Sequence, residues 1–295
     1  MRHSADRIAM EQESFIPQAP AAAPVVHDGT GALRQDLRGS VLLLGNFDGL
    51  HLGHQALFAL AARRSKKMGS PLAILQFDPH PRHHFRGEQG FLISGNAVQR
   101  RLLAEAGIDL IYAPVFDAQF AGQPAESFVL DHLVVRLGIS AVVTGADFRF
   151  GQFRAGDVPL LQAMGRICGF ATHVVGECRD RGEEGVRISS SQVRQFIRSG
   201  QLDEAERLLG RPFETAIEAG PTGWQFDPMQ ILPPDGIFMV EARGAAGRRL
   251  GRRMLVLKGR RPEARLPAGT STLLWHAAAS VGAAETGFER TDNGL

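Results

Sequence analysis

The chain has 295 residues, 44% hydrophobic and 22% charged, with a formal net charge of +2. That describes a soluble globular protein with room for one large domain and a small one, and its charge supplies no argument for a polyanionic partner. Two cysteines, Cys168 and Cys178, are too few and wrongly spaced for a zinc site, so reduced thiols and a cytoplasmic location are expected; no apolar run approaches the roughly 18 residues that span a bilayer.

Met1 to Pro24 mixes Arg, Asp and Glu with a Pro-Ala-rich stretch and lacks the apolar core of a signal peptide. Asp6, Glu11 and Glu13 argue against an Arg-rich organelle presequence. Residues 1–37 therefore read as a flexible extension.

Ordered structure is expected to begin at Val41–Leu44, four apolar residues that suit a short buried strand, followed by the turn Gly45-Asn46-Phe47-Asp48-Gly49 and a helix starting near Gly53. Strand, glycine turn and helix start form a plan for holding phosphate, because free N–H groups and the helix dipole at that end favour an anion. His51 and His54, three apart, can turn both rings to one bound group, and Gly53 between them lets a phosphate approach the backbone. Two imidazoles without a thiol or carboxylate partner suit phosphate transfer better than metal capture.

The helix runs to Met68 and stops at Gly69 after a basic last turn. Pro71–Phe77 is a second strand, running into Asp78-Pro79-His80-Pro81, where two prolines are expected to hold an extended loop. Ser94 reads as the N-cap of a helix to Ala106. Then come a strand at 108–115, a helix at 124–137, a strand at 139–144, a glycine-punctuated loop at 145–156, a helix at 157–168 and a strand at 171–175. Alternating strands and helices predict βαβ units in a Rossmann-like, doubly wound parallel sheet, with ligands at the edge where the strand C-terminal ends gather. The turn at 45–54, the Asp-Pro-His-Pro loop and the 145–156 loop all fall on that rim.

A hairpin tip is expected at Gly182–Gly185, then a helix capped by Ser189, Ser190 and Ser191 and one over Leu202–Leu209. Serine hydroxyls and N–H groups at that helix start can take phosphate oxygens, and Arg194, one turn in, can add a permanent charge. An ordinary capped helix with an exposed arginine is the plainer alternative. Beyond Phe213 the character changes to short strands at 237–242 and 254–257, a small β-rich module. Residues 243–265 hold nine Lys or Arg against the single Glu263, which reads as a solvated strand face or as a band for phosphate or nucleic acid.

Five stretches occur in order: Gly-Asn-Phe-Asp-Gly-Leu-His-Leu-Gly-His-Gln, Phe-Asp-Pro-His-Pro, Gly-Ala-Asp-Phe-Arg-Phe-Gly, Ile-Ser-Ser-Ser-x-x-Arg and Leu-Leu-Gly-Arg-Pro-Phe. Together they resemble the adenylyltransferase module of bacterial bifunctional riboflavin kinase/FAD synthetases, an HxGH nucleotidylyltransferase fold, over roughly residues 38–213. Departures from that family include Gln76, Asp78 and Ser191, where Thr, Glu and Thr are usual, and Ala146 and Gln152-Phe153 in the loop. The resemblance implies FMN + ATP → FAD + pyrophosphate, with Mg²⁺ on the ATP, no protein metal site and no nucleic-acid or membrane partner. It implies that His51, His54, Ser190 and Arg194 act on the phosphates, the last two on the β- and γ-phosphates. Gly45, Asn46, Phe47, Asp48, Gly49, Gly53, Ser189 and Ser191 would line the ATP side. Asp78, His80, Asp147, Phe148 and Arg149 would seat flavin or ribose.

The same family continues into a riboflavin kinase barrel with a Pro-Thr-Ala-Asn signature. Here Gly220-Pro221-Thr222-Gly223 stands without it, so residues 214–295 are expected to be a degenerate kinase-like module without kinase activity. A non-catalytic flavin or nucleotide sensor on this fold, a transferase with another acceptor, and a nucleic-acid-binding module are the competing readings.

Overall fold

The computed structural model describes residues 23–276 apart from 78–79, 181–184, 186 and 222. The first of its two sheets is wholly parallel, in the order β1-β4-β3-β2-β5-β6: β1 Val25–His27, β2 Val41–Leu44, β3 Leu72–Leu75, β4 Leu110–Tyr112, β5 Ala141–Gly145 and β6 Ala171–Val175. Strands β2 and β3 are buried along their whole length, which is why they read as unbroken apolar runs rather than alternating ones. Helices cover both faces. On one, α1 (Leu52–Met68) and α3 (Asn96–Glu105) bring Phe58, Ala61 and Leu103 against Val41, Leu43 and Ile74. The other face carries Phe128, Leu133, Leu161 and Phe170 against Leu42, Leu44 and Val142.

Strand order reverses between β2 and β5, so the loops after these strands splay apart and leave the crevice where such sheets take ligands. The doubly wound architecture agrees with the sequence expectation.

Local differences have physical reasons. Val25–His27, within the segment read as a flexible extension, pairs in parallel with Leu110–Tyr112; three residues carry no period by which a strand could be recognised. Residues 1–22 lie outside the described part. The loop after β3 is not extended throughout: α2 runs over Pro81–Arg86, with proline at the first helical position, where its missing N–H costs nothing. Gly95, not Ser94, is the N-cap of α3, with no side-chain cap bond, and the Ser94 N–H goes to Asp48. A further short helix, α4 (Ala118–Ala121), precedes α5 (Ala125–Ser127), which continues as a π-helical stretch over Phe128–Arg136. The tip expected at 182–185 lies almost wholly outside the described residues, although Arg179 and Arg187 pair across its base.

After α6 (Val158–Cys168), α7 (Ser190–Arg198) and α8 (Leu202–Leu209) comes a six-stranded antiparallel sheet in the order β11-β10-β9-β12-β7-β8. Its strands are β7 Phe213–Gly220, β8 Gly223–Phe226, β9 Gly236–Arg243, β10 Arg249–Lys258, β11 Arg261–Glu263 and β12 Thr272–His276. The edge strands β8 and β11 lie against each other, rolling the sheet toward a barrel around Trp275, Phe213, Phe238 and Leu255. Val193 and Ile197 of α7 and Leu208 of α8 belong to the same core, which therefore spans both sides of Phe213.

Candidate active site

The loop after β2 is built by close packing. Gly49 sits at φ +84°, and a Cβ there would lie 2.7 Å from the Ile93 side chain, so glycine is required on both counts. Phe47 is buried, edge-on to Phe58 and to His54, and Gln99 donates to its carbonyl at 2.7 Å. Asp48 turns inward: its carboxylate accepts the N–H groups of Ile93 and Ser94 and pairs with Arg194 at 2.6 Å. Arg194 spends its Nε on the Phe91 carbonyl at 2.7 Å. Ser190 Oγ donates to the Asp48 carbonyl at 3.0 Å, tying the start of α7 to the same loop. From below, Arg211 donates to the Gly49 carbonyl and Gln55 to that of Leu50.

His51 caps α1. Its Nδ1 accepts the His54 N–H at 3.2 Å, which leaves the imidazole proton on Nε2, free to donate. The two rings stack with centroids 3.6 Å apart and 17° between planes. Burial first, then the nearby Arg194 and Arg211 charges, pull His51 down to about 4 against an opposing backbone contact. Burial and the adjacent His51 hold His54 well below the usual histidine range. At neutral pH both rings are uncharged, each with one N–H to offer. The Nδ1 of His54 is buried with no hydrogen-bond partner among the described residues.

Around this pair opens a cleft of about 1770 Å³. A single small ligand typically occupies about 300–1,000 Å³, so two substrates fit. Gly45, Asn46, Phe47, Asp48, His51, Gly53 and His54 line the cleft together with Ser189, Ser190 and Ser191, and so do His80, Asp147, Phe148 and Arg149. Ser189 Oγ caps α7 by accepting from Gln192 N, and His80 Nε2 bonds Asn46 Oδ1 at 3.0 Å. Asp147 pairs with Arg187 at 2.7 Å, and Arg149 with Asp157, the N-cap of α6. Asp78 lies outside the described residues.

Two expected site residues stand elsewhere. Gly49 does not line the cleft; its part is the tight turn. Nor does Arg194, which is 5% exposed and bonded to Asp48 and Phe91. Instead of reaching phosphate as an exposed cation, it clasps the loop after β2 to α7 and residues 91–94. A position one turn into a capped helix did not disclose a partner 146 residues away.

The sequence reading also passed over the aromatic end of the cleft, where Phe77, Phe116, Phe120, Phe128 and Phe150 meet in T-shaped and tilted pairs with centroids 4.8–6.1 Å apart. Phenylalanines at 116, 120 and 128, in a chain with 18 Phe and one Tyr, were the available signal. Among the described residues no group of three His, Cys, Asp or Glu is placed to hold a metal ion.

Comparison with known proteins places this geometry. Residues 33–192 match the model of the FAD synthetase family. The chain is 36% identical over 219 residues to the bifunctional riboflavin kinase/FMN adenylyltransferase of Escherichia coli (strain K12), covering 70% of this chain and 69% of that protein. It is 33% identical over 217 residues to the FAD synthetase of Listeria monocytogenes, 72% of this chain and 85% of that one. A solved structure titled a macrolide-efflux protein, from Streptococcus pneumoniae, superposes with a TM-score of 0.71 at 22% identity, over 86% of this chain and 90% of that one, a likeness of fold. The chain belongs to the FAD synthetase family.

Proposed function

We propose that the protein transfers the AMP group of Mg-ATP to the phosphate of FMN, giving FAD and pyrophosphate. The observation that carries this is one cleft with two unlike ends: two neutral histidines beside a serine-rich helix start, and a basin of phenylalanines suited to a flat ring system. An FMN phosphate oxygen attacks the α-phosphorus in line, the bond from that phosphorus to the bridging oxygen of the β-phosphate breaks, and pyrophosphate leaves with the electron pair. Chemistry of this kind depends on positioning and on stabilising displaced charge.

His51 Nε2–H and the His54 ring donate to the phosphate oxygens as negative charge moves to the leaving group; the stacked rings and the cap bond fix their directions beforehand. Ser189, Ser190 and Ser191, at the α7 N-terminus, take the outer phosphates, while Gly45, Asn46 and Gly53 line the nucleotide side. His80, Asp147, Phe148 and Arg149 border the flavin side. Magnesium comes and goes as part of the nucleotide substrate and neutralises its phosphates. We assign no kinase activity to residues 214–295, and neither nucleic acid nor membrane as partner; a cytoplasmic location fits the free cysteines.

The test is FAD formation from FMN and Mg-ATP, followed by chromatography, with His51→Ala and His54→Ala alongside. Loss of one preorganised donor should lower kcat by about 10²–10³. FMN adenylylation at an unchanged rate in both variants would contradict the assignment.

A further inference from the structure

Beneath the aromatic basin runs a polar relay that the adenylyl-transfer step does not use. Tyr112, fully buried on β4, places its hydroxyl 2.6 Å from His132 Nδ1, and His132 Nε2 lies 3.1 Å from Gln123 Oε1. His132 sits in the π-helical stretch, a local geometry that recurs at functional sites. The proton positions follow from counting. Among the described residues His132 Nδ1 is the one acceptor bonded to the Tyr112 hydroxyl, so the phenol donates there. The imidazole proton then resides on Nε2 and goes to the Gln123 carbonyl. Burial keeps His132 below the usual histidine range, consistent with a neutral ring. The Gln123 carbonyl is thus engaged, and its NH₂ group is the unspent part of a side chain that lines the cleft.

Resting on the FMN reading above, we infer that Gln123 is the specificity determinant at the aromatic end: its NH₂ donates to an acceptor on the pyrimidine edge of the flavin ring, and Tyr112 and His132 hold that amide in place. A flavin has an apolar dimethylbenzene edge and a polar edge rich in carbonyl oxygens and ring nitrogens. Phenylalanines accept the faces and the apolar edge but leave a carbonyl unpaired, which is costly in a dry pocket. Gln76 and Gln152 line the same cleft, but neither side chain is fixed by a hydrogen bond to a described residue. Gln123 is also tied at its backbone, accepting the Gln152 N–H at 2.7 Å, so the loop after β5 moves with it.

The experiment measures KM for FMN and for ATP in the wild type and in Gln123→Leu, Gln123→Glu and Tyr112→Phe, with FMN binding followed in parallel by quenching of its fluorescence. Gln123→Leu keeps the volume and removes the donor; Gln123→Glu keeps an acceptor for His132 and offers the flavin no N–H. Both should raise KM and Kd for FMN about five- to tenfold with KM for ATP unchanged. Tyr112→Phe loosens the relay without touching substrate and should raise the FMN values about two- to threefold, again without effect on ATP. Unchanged FMN binding in both Gln123 variants, or FMN and ATP constants rising together, would overturn the inference. A wild type that quenches FMN but makes no FAD would remove the transferase reading alone, and the variants would still decide Gln123 by fluorescence. A wild type that does not bind FMN would remove both.

Discussion

At the C-terminal ends of β2 and β5, imidazoles, hydroxyls and amides face an open cleft, whereas in the β7–β12 region the buried Thr215, Gln230 and Glu241 are bonded to their own surroundings. Thr215 accepts from Trp275 Nε1 at 2.9 Å, Glu241 takes Arg243 and Arg249 at 3.0 Å each, and Gln230 satisfies three backbone groups. The difference follows from topology. Parallel strands that reverse order leave loops diverging at one rim; an antiparallel sheet curling around Trp275 fills its interior with Phe213, Phe238 and Leu255. The second region serves the first as a brace. Met229 accepts the N–H groups of Phe91 and Leu92, and Ile231 N–H returns to the Leu92 carbonyl, so residues 228–231 pair with the segment whose N–H groups hold Asp48.

The contrast is broken most severely at the clasp. Arg194→Ala leaves Asp48 buried without its cation, and chemical denaturation should show a loss of about 3–5 kcal/mol, with FAD formation falling as the β2 loop loosens. Next comes acid. His51 is neutral in the fold and its folded value is depressed, so its contribution is fully present above the unfolded value near 6.5 and is lost as pH falls toward about 4. His51 alone should account for roughly 3 kcal/mol of loss across that window, with the depressed His54 adding to it, and His51→Asn should reduce the dependence in a pH series of melting curves. The brace gives a smaller effect. Gln230→Ala uncouples the carbonyls of Ile93 and Glu214 and should cost about 2 kcal/mol, with KM for ATP rising more than KM for FMN.

The parallel sheet was legible because strands buried on both faces leave apolar runs such as Val41–Leu44, and because glycine turns and helix starts announce a phosphate-holding rim. That His51, His54 and Ser189–Ser191 would share one rim was legible for the same reason, since the motif specifies their backbone positions, and they do line one cleft. What could not be read was partnership over distance. Arg194 meets Asp48, Gln123 meets His132 beneath Tyr112, and Gln230 meets Ile93, and no local pattern records such contacts. The basic band at 243–265 is mostly exposed, as a solvated strand face would be. Its partners were not legible: Arg243 and Arg249 pair with Glu241, Lys258 with Glu263, and Arg260 bonds the carbonyls of Asp227 and Gln230.

We place the chemistry on the parallel sheet and assign the antiparallel sheet a supporting part. The most direct measurement supplies the purified protein with Mg-ATP and either FMN or riboflavin and identifies the flavin products. FAD from FMN, with riboflavin returned unchanged, is the predicted result. FMN formed from riboflavin would show that the second sheet is an enzyme in its own right and would contradict the account.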